Sequence, residues 1–217
     1  MSNYNLLDVA LKIWKMYSII SNNWSIYMQQ LGMESYNQSN KQVRDIELDD
    51  AIKSNIMAYR AFLSRQYSII AAEFSGIEYV DFRIKSQASI LAKIERFMNN
   101  PQINNGRSAI NKCFNDLLGF RCILPHKYTM NELITLFYDT ELWGHINIQD
   151  GGERNTGYKA VHIYFKSDNY NYKWEFQIWD KIDAQNNFDC HKKYKQNYTK
   201  VGYMYKTEKI EVDDEDV

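Results

Sequence analysis

The hydrophobic pattern changes period midway through Tyr79–Arg96. From Tyr79 to Lys85 it alternates. Val80, Phe82 and Ile84 point one way, and Asp81, Arg83 and Lys85 the other. That predicts a strand with one buried face. Next, Ile90, Ile94 and Phe97 recur at spacings of four and three, with Ser89, Lys93 and Arg96 together on the opposite side. That predicts an amphipathic helix. Upstream, residues 1–35 read as helical, with an apolar stripe through Leu7, Leu11, Trp14 and Ile19 or Ile20, continued by Trp24, Tyr27, Met28 and Leu31. Such a helix packs on the core or offers a surface to a partner. After a polar break from Gly32 to Asn40, Leu48, Ile52, Ile56, Tyr59 and Leu63 predict a second helix running to about Ala72, capped by Asp49 or Asp45.

Downstream, Asn99-Asn100-Pro101 stops the central helix. Asn111 to Leu118 predicts a short helix, Gly119 to Leu124 a strand and Met130 to Asp139 a helix. Trp143 to Asp150, Ala160 to Phe165 and Lys173 to Ile178 predict three more strands, and Asp183 to Lys200 a last helix. About five strands flanked by helices, some joined by short loops, give an α+β class with a mixed, mostly antiparallel sheet. No repeat or linker divides the chain. The expectation is one domain over 1–207, with a core at about 79–200, N-terminal helices in 1–72 and an acidic, disordered tail at 208–217.

Composition adds little, except in how charge is distributed. The net charge of −1 conceals a tail from Glu208 to Val217 with six acids and one lysine, locally −5, which leaves +4 on the remainder. A mildly basic body is compatible with nucleotide or RNA substrates. The 17 tyrosines and 5 tryptophans exceed what a core of this size needs, so some are expected where they can stack on bases. Cys113, Cys122 and Cys190 have no metal-ligand spacing, no signal peptide is visible and no apolar run approaches the ~20 residues of a membrane span. A reduced cytoplasmic setting is expected.

The candidate chemistry gathers on strand faces. Arg83 and Lys85 with Ser89, Lys93 and Arg96 form a cationic cluster suited to a polyphosphate, although a solvated basic face has the same pattern. Asp116 precedes the strand GFRCIL. Glu175 and Gln177 share the polar face of WEFQIW. A mid-sheet carboxylate needs a cation or a task. Two carboxylates beside a basic cluster fit a magnesium site, or equally an ordinary salt bridge to Arg83, Lys85 or Arg121. In NTGYKAVHIYF, Gly157 permits a tight turn, Tyr158 at its tip can stack on a base, Lys159 can reach a phosphate, and His162 shares a strand face with Ala160. His191 and His162 lack a third metal ligand.

Taken together, the pieces RIKSQASILAK, NDLLGFR, GYKAVH, EFQI and HKKYK, in this order between Asp81 and Lys195, resemble the RelA/SpoT synthetase family, which includes the small alarmone synthetases. The resemblance implies a nucleotidyltransferase-like fold and a magnesium-dependent pyrophosphokinase that moves the ATP β,γ-pyrophosphate to a ribose 3′-hydroxyl. By the same resemblance, Arg83, Lys85, Ser89, Lys93 and Arg121 hold ATP. Asp116 binds magnesium, and Glu175 binds magnesium or deprotonates the attacking hydroxyl. Tyr158 stacks on the acceptor base, with Lys159, His162 and Gln177 supporting the acceptor pocket.

Two departures from the family pattern fall on the acceptor side. Trp179 and Asp180 follow the Gln-Ile of the strand, where many members carry arginine, and Thr156 replaces the usual asparagine before Gly157. On the face of Glu175 and Gln177, Trp179 is expected to be a stacking surface. These departures resemble the toxic small alarmone synthetases that pyrophosphorylate the tRNA 3′-CCA end and usually come with a protein antitoxin. The expected acceptor is therefore the tRNA 3′ end. Free guanine or adenine nucleotides, giving (p)ppGpp or (p)ppApp, are the second expectation, and a silent nucleotide- or RNA-binding module the third. No hydrolase region precedes the motifs, so no breakdown of the product is expected.

Overall fold

The computed structural model describes residues 5–99, 101, 105–151 and 157–192. Helix α1 spans Leu6–Gln30, α2 Asp45–Leu48, α3 Asp50–Arg65 and α4 Tyr67–Phe74. Strand β1 is Val80–Ile84, followed by α5, Gln87–Met98, and α6, Ile110–Cys113. Then come β2, Leu118–Leu124, α7, Met130–Phe137, β3, Ile146–Asp150, β4, Val161–Phe165, and β5, Trp174–Asp180. A last helix, α8, begins at 184 and is described to 192. The class is α+β. The sheet order is β1-β2-β5-β4-β3, antiparallel except where β2 pairs β5 in parallel.

All five strands alternate in phase, so the sheet has one apolar and one polar face. Phe82, Phe120, Ile163, Trp174 and Phe176 lie on the apolar side, under the N-terminal helices. Trp174 is the anchor. Its indole N–H donates to Tyr59 Oη of α3 at 2.8 Å, and Tyr17 of α1 meets its ring edge-on at 5.3 Å. Fully burying one such aromatic contributes ~1.5–3 kcal/mol. No helix among the described residues is long and apolar enough to cross a membrane.

Three sequence expectations shift. The buried stripe of α1 is Leu6, Val9, Ala10, Ile13, Tyr17, Ile20, Trp24 and Met28; Leu7, Leu11 and Trp14 flank it, and Ile19 and Leu31 are exposed. Tyr17 turns the helix this way, because its ring packs on Trp174 and its hydroxyl accepts from the Ser167 amide at 3.1 Å. The second helix breaks twice. Asp49 caps α3 by accepting from the Ala51 amide, so Leu48 falls in α2 and is 84% exposed; Gln66 separates α3 from α4. Trp143 to His145 form a 3-10 turn ahead of β3. The expected acidic tail lies outside the described residues.

Candidate active site

The polar face of the sheet carries the chemistry. Asp81 and Arg83 come from β1, Gly119 and Arg121 from β2, Glu175, Gln177 and Trp179 from β5, and His162 and Tyr164 from β4. The register sets Arg83 opposite Gly119, Gly119 opposite Glu175, and Glu175 opposite Tyr164. Asp81 is opposite Arg121, Arg121 opposite Gln177, and Gln177 opposite His162. Asp81, Arg83, Gly119, Arg121, Glu175 and Gln177 line one cleft. Glycine at position 119 leaves the space between Arg83 and Glu175 open.

The cations of the β1–α5 unit divide into two groups. Lys85 and Lys93 converge on Asp116, Lys93 Nζ lying 3.0 Å from one carboxylate oxygen and Lys85 binding the other. These three side chains are only 12–14% exposed. Burial pushes the Asp116 carboxyl up, but Lys93 and Lys85 outweigh it and hold it below the usual carboxylate range. Burial, Lys93 and Arg83 depress Lys85 despite Asp116. The second group is Arg83 and Arg121. Neither forms an ion pair with a carboxylate among the described residues. Arg121 is lowered by burial and then by Arg83, and its buried Nε has no hydrogen-bond partner. Ser89 is half-buried and serves the α5 N-terminus, where its amide donates to the Ser86 cap. Arg96 lies over the Phe97 ring at 5.3 Å.

Glu175 sits at the centre; of the expected salt bridges Lys85 forms one with Asp116, and none reaches Glu175 among the described residues. Its Oε1 accepts from Tyr164 Oη at 3.2 Å and lies 3.1 Å from His162 Nδ1, while its Oε2 accepts from Gln177 Nε2 at 2.7 Å. Burial raises the Glu175 carboxyl; His162 and Gln177 then bring it below the usual range against Asp116. His162 Nε2 is 2.9 Å from Tyr158 Oη, which accepts from the Trp179 indole at 3.3 Å. The Trp179 indole donates to Tyr158, the Tyr158 hydroxyl pairs with Nε2 of His162, and Nδ1 faces Glu175 Oε1 with Tyr164 Oη at 3.2 Å. The imidazole thus links the tyrosine to the carboxylate.

The loop carrying Tyr158 is held from α8. Asn187 accepts from the Lys159 amide at 2.9 Å and donates to the Lys159 carbonyl at 2.7 Å, and Asn186 donates to the Gly157 carbonyl at 2.6 Å. Gly157 has φ +75°, which favours glycine, as the sequence suggested. Lys159 Nζ is 3.7 Å from Asp183, so this lysine is engaged on α8.

Trp179 corrects an expectation. It is on the predicted face but fully buried. Its ring carries the Arg121 guanidinium at 4.2 Å and stacks on His191 at 5.5 Å, with Phe188 edge-on. The aromatic side chains of α8 cover it, so it is a floor for Arg121 and Tyr158 and not a surface for a base. Tyr164, Asn186 and Asn187 were missed by sequence reasoning. Tyr164 shares the parity of His162 and could have been found from that; the asparagines gave no signal because helical polar residues normally face solvent.

Asp116 and Glu175 are both held ionised and supply hard oxygen donors. No group of three or more His, Cys, Asp or Glu assembles among the described residues. Asp116 and Glu175 would be the carboxylates to hold a magnesium ion, with phosphate oxygens and water completing its ligands; both Asp116 oxygens are engaged by Lys85 and Lys93.

No protein-family model matches the sequence, and no curated protein does. Among solved structures, the chain is similar to the small alarmone synthetase 1 from Bacillus subtilis, at 19% identity over 71% of this chain and 82% of that one, with a TM-score of 0.38. The same enzyme bound to AMPCPP gives 17% identity, 69% and 76% coverage and a TM-score of 0.34. At these values the likeness adds nothing to what the side chains themselves offer.

Proposed function

We propose that the protein is a pyrophosphokinase of the RelA/SpoT type, transferring the β,γ-pyrophosphate of ATP to a ribose 3′-hydroxyl. One observation carries this reading. The sheet's polar face holds two arginines with no carboxylate ion pair among the described residues and an ionised glutamate tied through histidine to a tyrosine, and a lysine–aspartate–lysine cluster from the end of β1, from α5 and from the turn before β2 adjoins it. Arg83, Arg121, Lys85 and Lys93 offset the polyphosphate charge. Glu175 takes the proton of the 3′-hydroxyl. The 3′-oxygen then bonds to the β-phosphorus, the bond from that phosphorus to the α,β-bridging oxygen breaks, and AMP leaves with the electron pair. Magnesium, held by Asp116 and Glu175, would neutralise developing phosphate charge. Tyr158 orients the acceptor, and the buried, unpartnered Oε1 of Gln177 is an acceptor for a ribose or base donor.

Which ribose is phosphorylated follows less directly. Departures at Thr156 and Trp179 favour the tRNA 3′-CCA end, the substrate of a translation-blocking toxin kept in check by an antitoxin. The burial of Trp179 removes its share of that case and leaves free guanine or adenine nucleotides as the competing reading. Incubation with γ-labelled ATP and, separately, bulk tRNA, GDP, GTP, AMP and ATP tests both. Label in tRNA supports the toxin, and label in a nucleotide the alarmone synthetase. Label in none of them, with ATP still bound, means a silent binding module.

A further inference from the structure

The polar face continues past Glu175 into a second basic cluster. Phe165 and Trp174 are the last paired residues of β4 and β5, and Lys166 and Lys173 occupy the next position on each chain. Phe165, Tyr172 and Trp174 are fully buried on the apolar side, so Lys166 and Lys173 fall on the face of Tyr164 and Glu175. Lys173 is two positions from Glu175, about 7 Å along the strand.

This arrangement is unfavourable by itself. Like charges at facing positions of an antiparallel pair repel. Neither lysine forms an ion pair with a carboxylate among the described residues. Lys173 is half-buried, and its ammonium is depressed by burial and then by Lys166 and Lys112, with no acid acting against them. Uncompensated charge next to a catalytic carboxylate is characteristic of a ligand site.

We propose that Lys166 and Lys173 form a phosphate-binding site at the rim of the catalytic face, taking a phosphate on the 5′ side of the acceptor ribose. The assignment rests on the proposed reaction for its occupant. A 3′-hydroxyl at Glu175 with its base towards Tyr158 leaves the 5′ side of the sugar facing Lys173. A mononucleotide presents its 5′-phosphate there, and an RNA 3′ end its last phosphodiester.

Binding measurements separate this site from the reaction. Titration calorimetry compares the full chain with the Lys166→Gln/Lys173→Gln variant, using guanosine, adenosine, GMP, AMP, a short RNA ending in CCA, and non-hydrolysable ATP. The variant is expected to bind at least one phosphorylated acceptor about tenfold or more weakly, with nucleosides and the ATP analogue unchanged. A loss confined to RNA identifies the phosphodiester; a loss with mononucleotides identifies the 5′-phosphate. The ligand-free variant is also expected to melt at a higher temperature, because a repulsion is removed. Equal weakening of nucleosides, parallel weakening of the ATP analogue, unchanged binding of every phosphorylated acceptor or a lower melting temperature would overturn the site. Absence of pyrophosphate transfer by the wild type would sink the reaction alone, since the binding arms still judge the lysines.

Discussion

His162 is where the candidate site is most sharply testable. It contacts Glu175 Oε1 at 3.1 Å and Tyr158 Oη at 2.9 Å, and its side chain is 12% exposed. His162→Ala removes both contacts. One is a hydrogen bond to a charged group, worth ~1.5–3 kcal/mol, and the other joins neutral groups at ~1 kcal/mol. The fold should lose about 2–4 kcal/mol, measured by denaturant titration. The kinetic effect should be larger than that of a merely loosened fold. Glu175 keeps Tyr164 and Gln177 but loses the donor that most lowers its pKa, so its folded pKa rises. The base is then protonated over a wider acid range, and the acid limb of the kcat profile moves to higher pH. At neutral pH, kcat should fall on the order of a hundredfold, with KM for ATP nearly constant. His162→Asn retains a donor near Nδ1 and should restore the position of the limb. Tyr158→Phe cuts only the other half of the chain and should raise acceptor KM without moving the limb. If His162→Ala leaves the acid limb in place, the linkage from imidazole to carboxylate is wrong, whatever happens to stability.

Other perturbations follow from the same geometry. Lys85→Ala should abolish transfer to every acceptor and, by breaking a buried cluster, cost ~3–5 kcal/mol of stability; activity retained with any acceptor would contradict its place on the donor side. Trp179→Arg should destabilise the fold by on the order of 3 kcal/mol or more, since it buries a second guanidinium beside Arg121, and a melting temperature within error of the wild type would show that α8 does not seal this position. Stability should also fall with acid. His191 is depressed to about 4 by burial and by Arg83 and Arg121, so the unfolded chain takes up its proton first. The contribution is complete above about 6.5 and lost as pH falls towards 4. His191→Gln should flatten that part of the stability profile, and an unchanged slope would count against burial of the imidazole.

Much of this architecture was legible because the sheet is two-sided. Alternation at Tyr79–Lys85, Ala160–Phe165 and Lys173–Ile178 gave the strands and the parity of each side chain, so Arg83 was set away from Val80, Phe82 and Ile84, Glu175 and Gln177 on one polar face, and His162 with Ala160; that these faces join is given by the strand register. Period alone cannot give depth. Trp179 has the right parity for a stacking surface, yet Phe188 and His191 of α8 close over it, and no local pattern encodes that packing. Glu175 shows the same limit. Its expected arginine and lysine partners are on neighbouring strands, but the register sets Tyr164 opposite it and Gly119 on the other side, so a hydroxyl and an imidazole reach it first. In α1, two adjacent apolar stripes compete, and Trp174, far away in sequence, decides between them.

The burial of Trp179 also changes how donor and acceptor sides are to be separated. The two sides share a floor. Arg121, a phosphate ligand in the proposed reaction, rests on the Trp179 ring at 4.2 Å, and Tyr158, the acceptor platform, takes a hydrogen bond from the same indole. A change at position 179 therefore moves both an arginine and a tyrosine, and cannot act on acceptor choice alone. Lys173 and Lys166 touch neither. A residue that discriminates among acceptors without disturbing ATP has to lie beyond this shared floor, at the rim where the facing lysines meet. The double lysine variant is thus the cleaner probe of acceptor identity than Trp179→Arg, although only Trp179 departs visibly from the family pattern in the sequence.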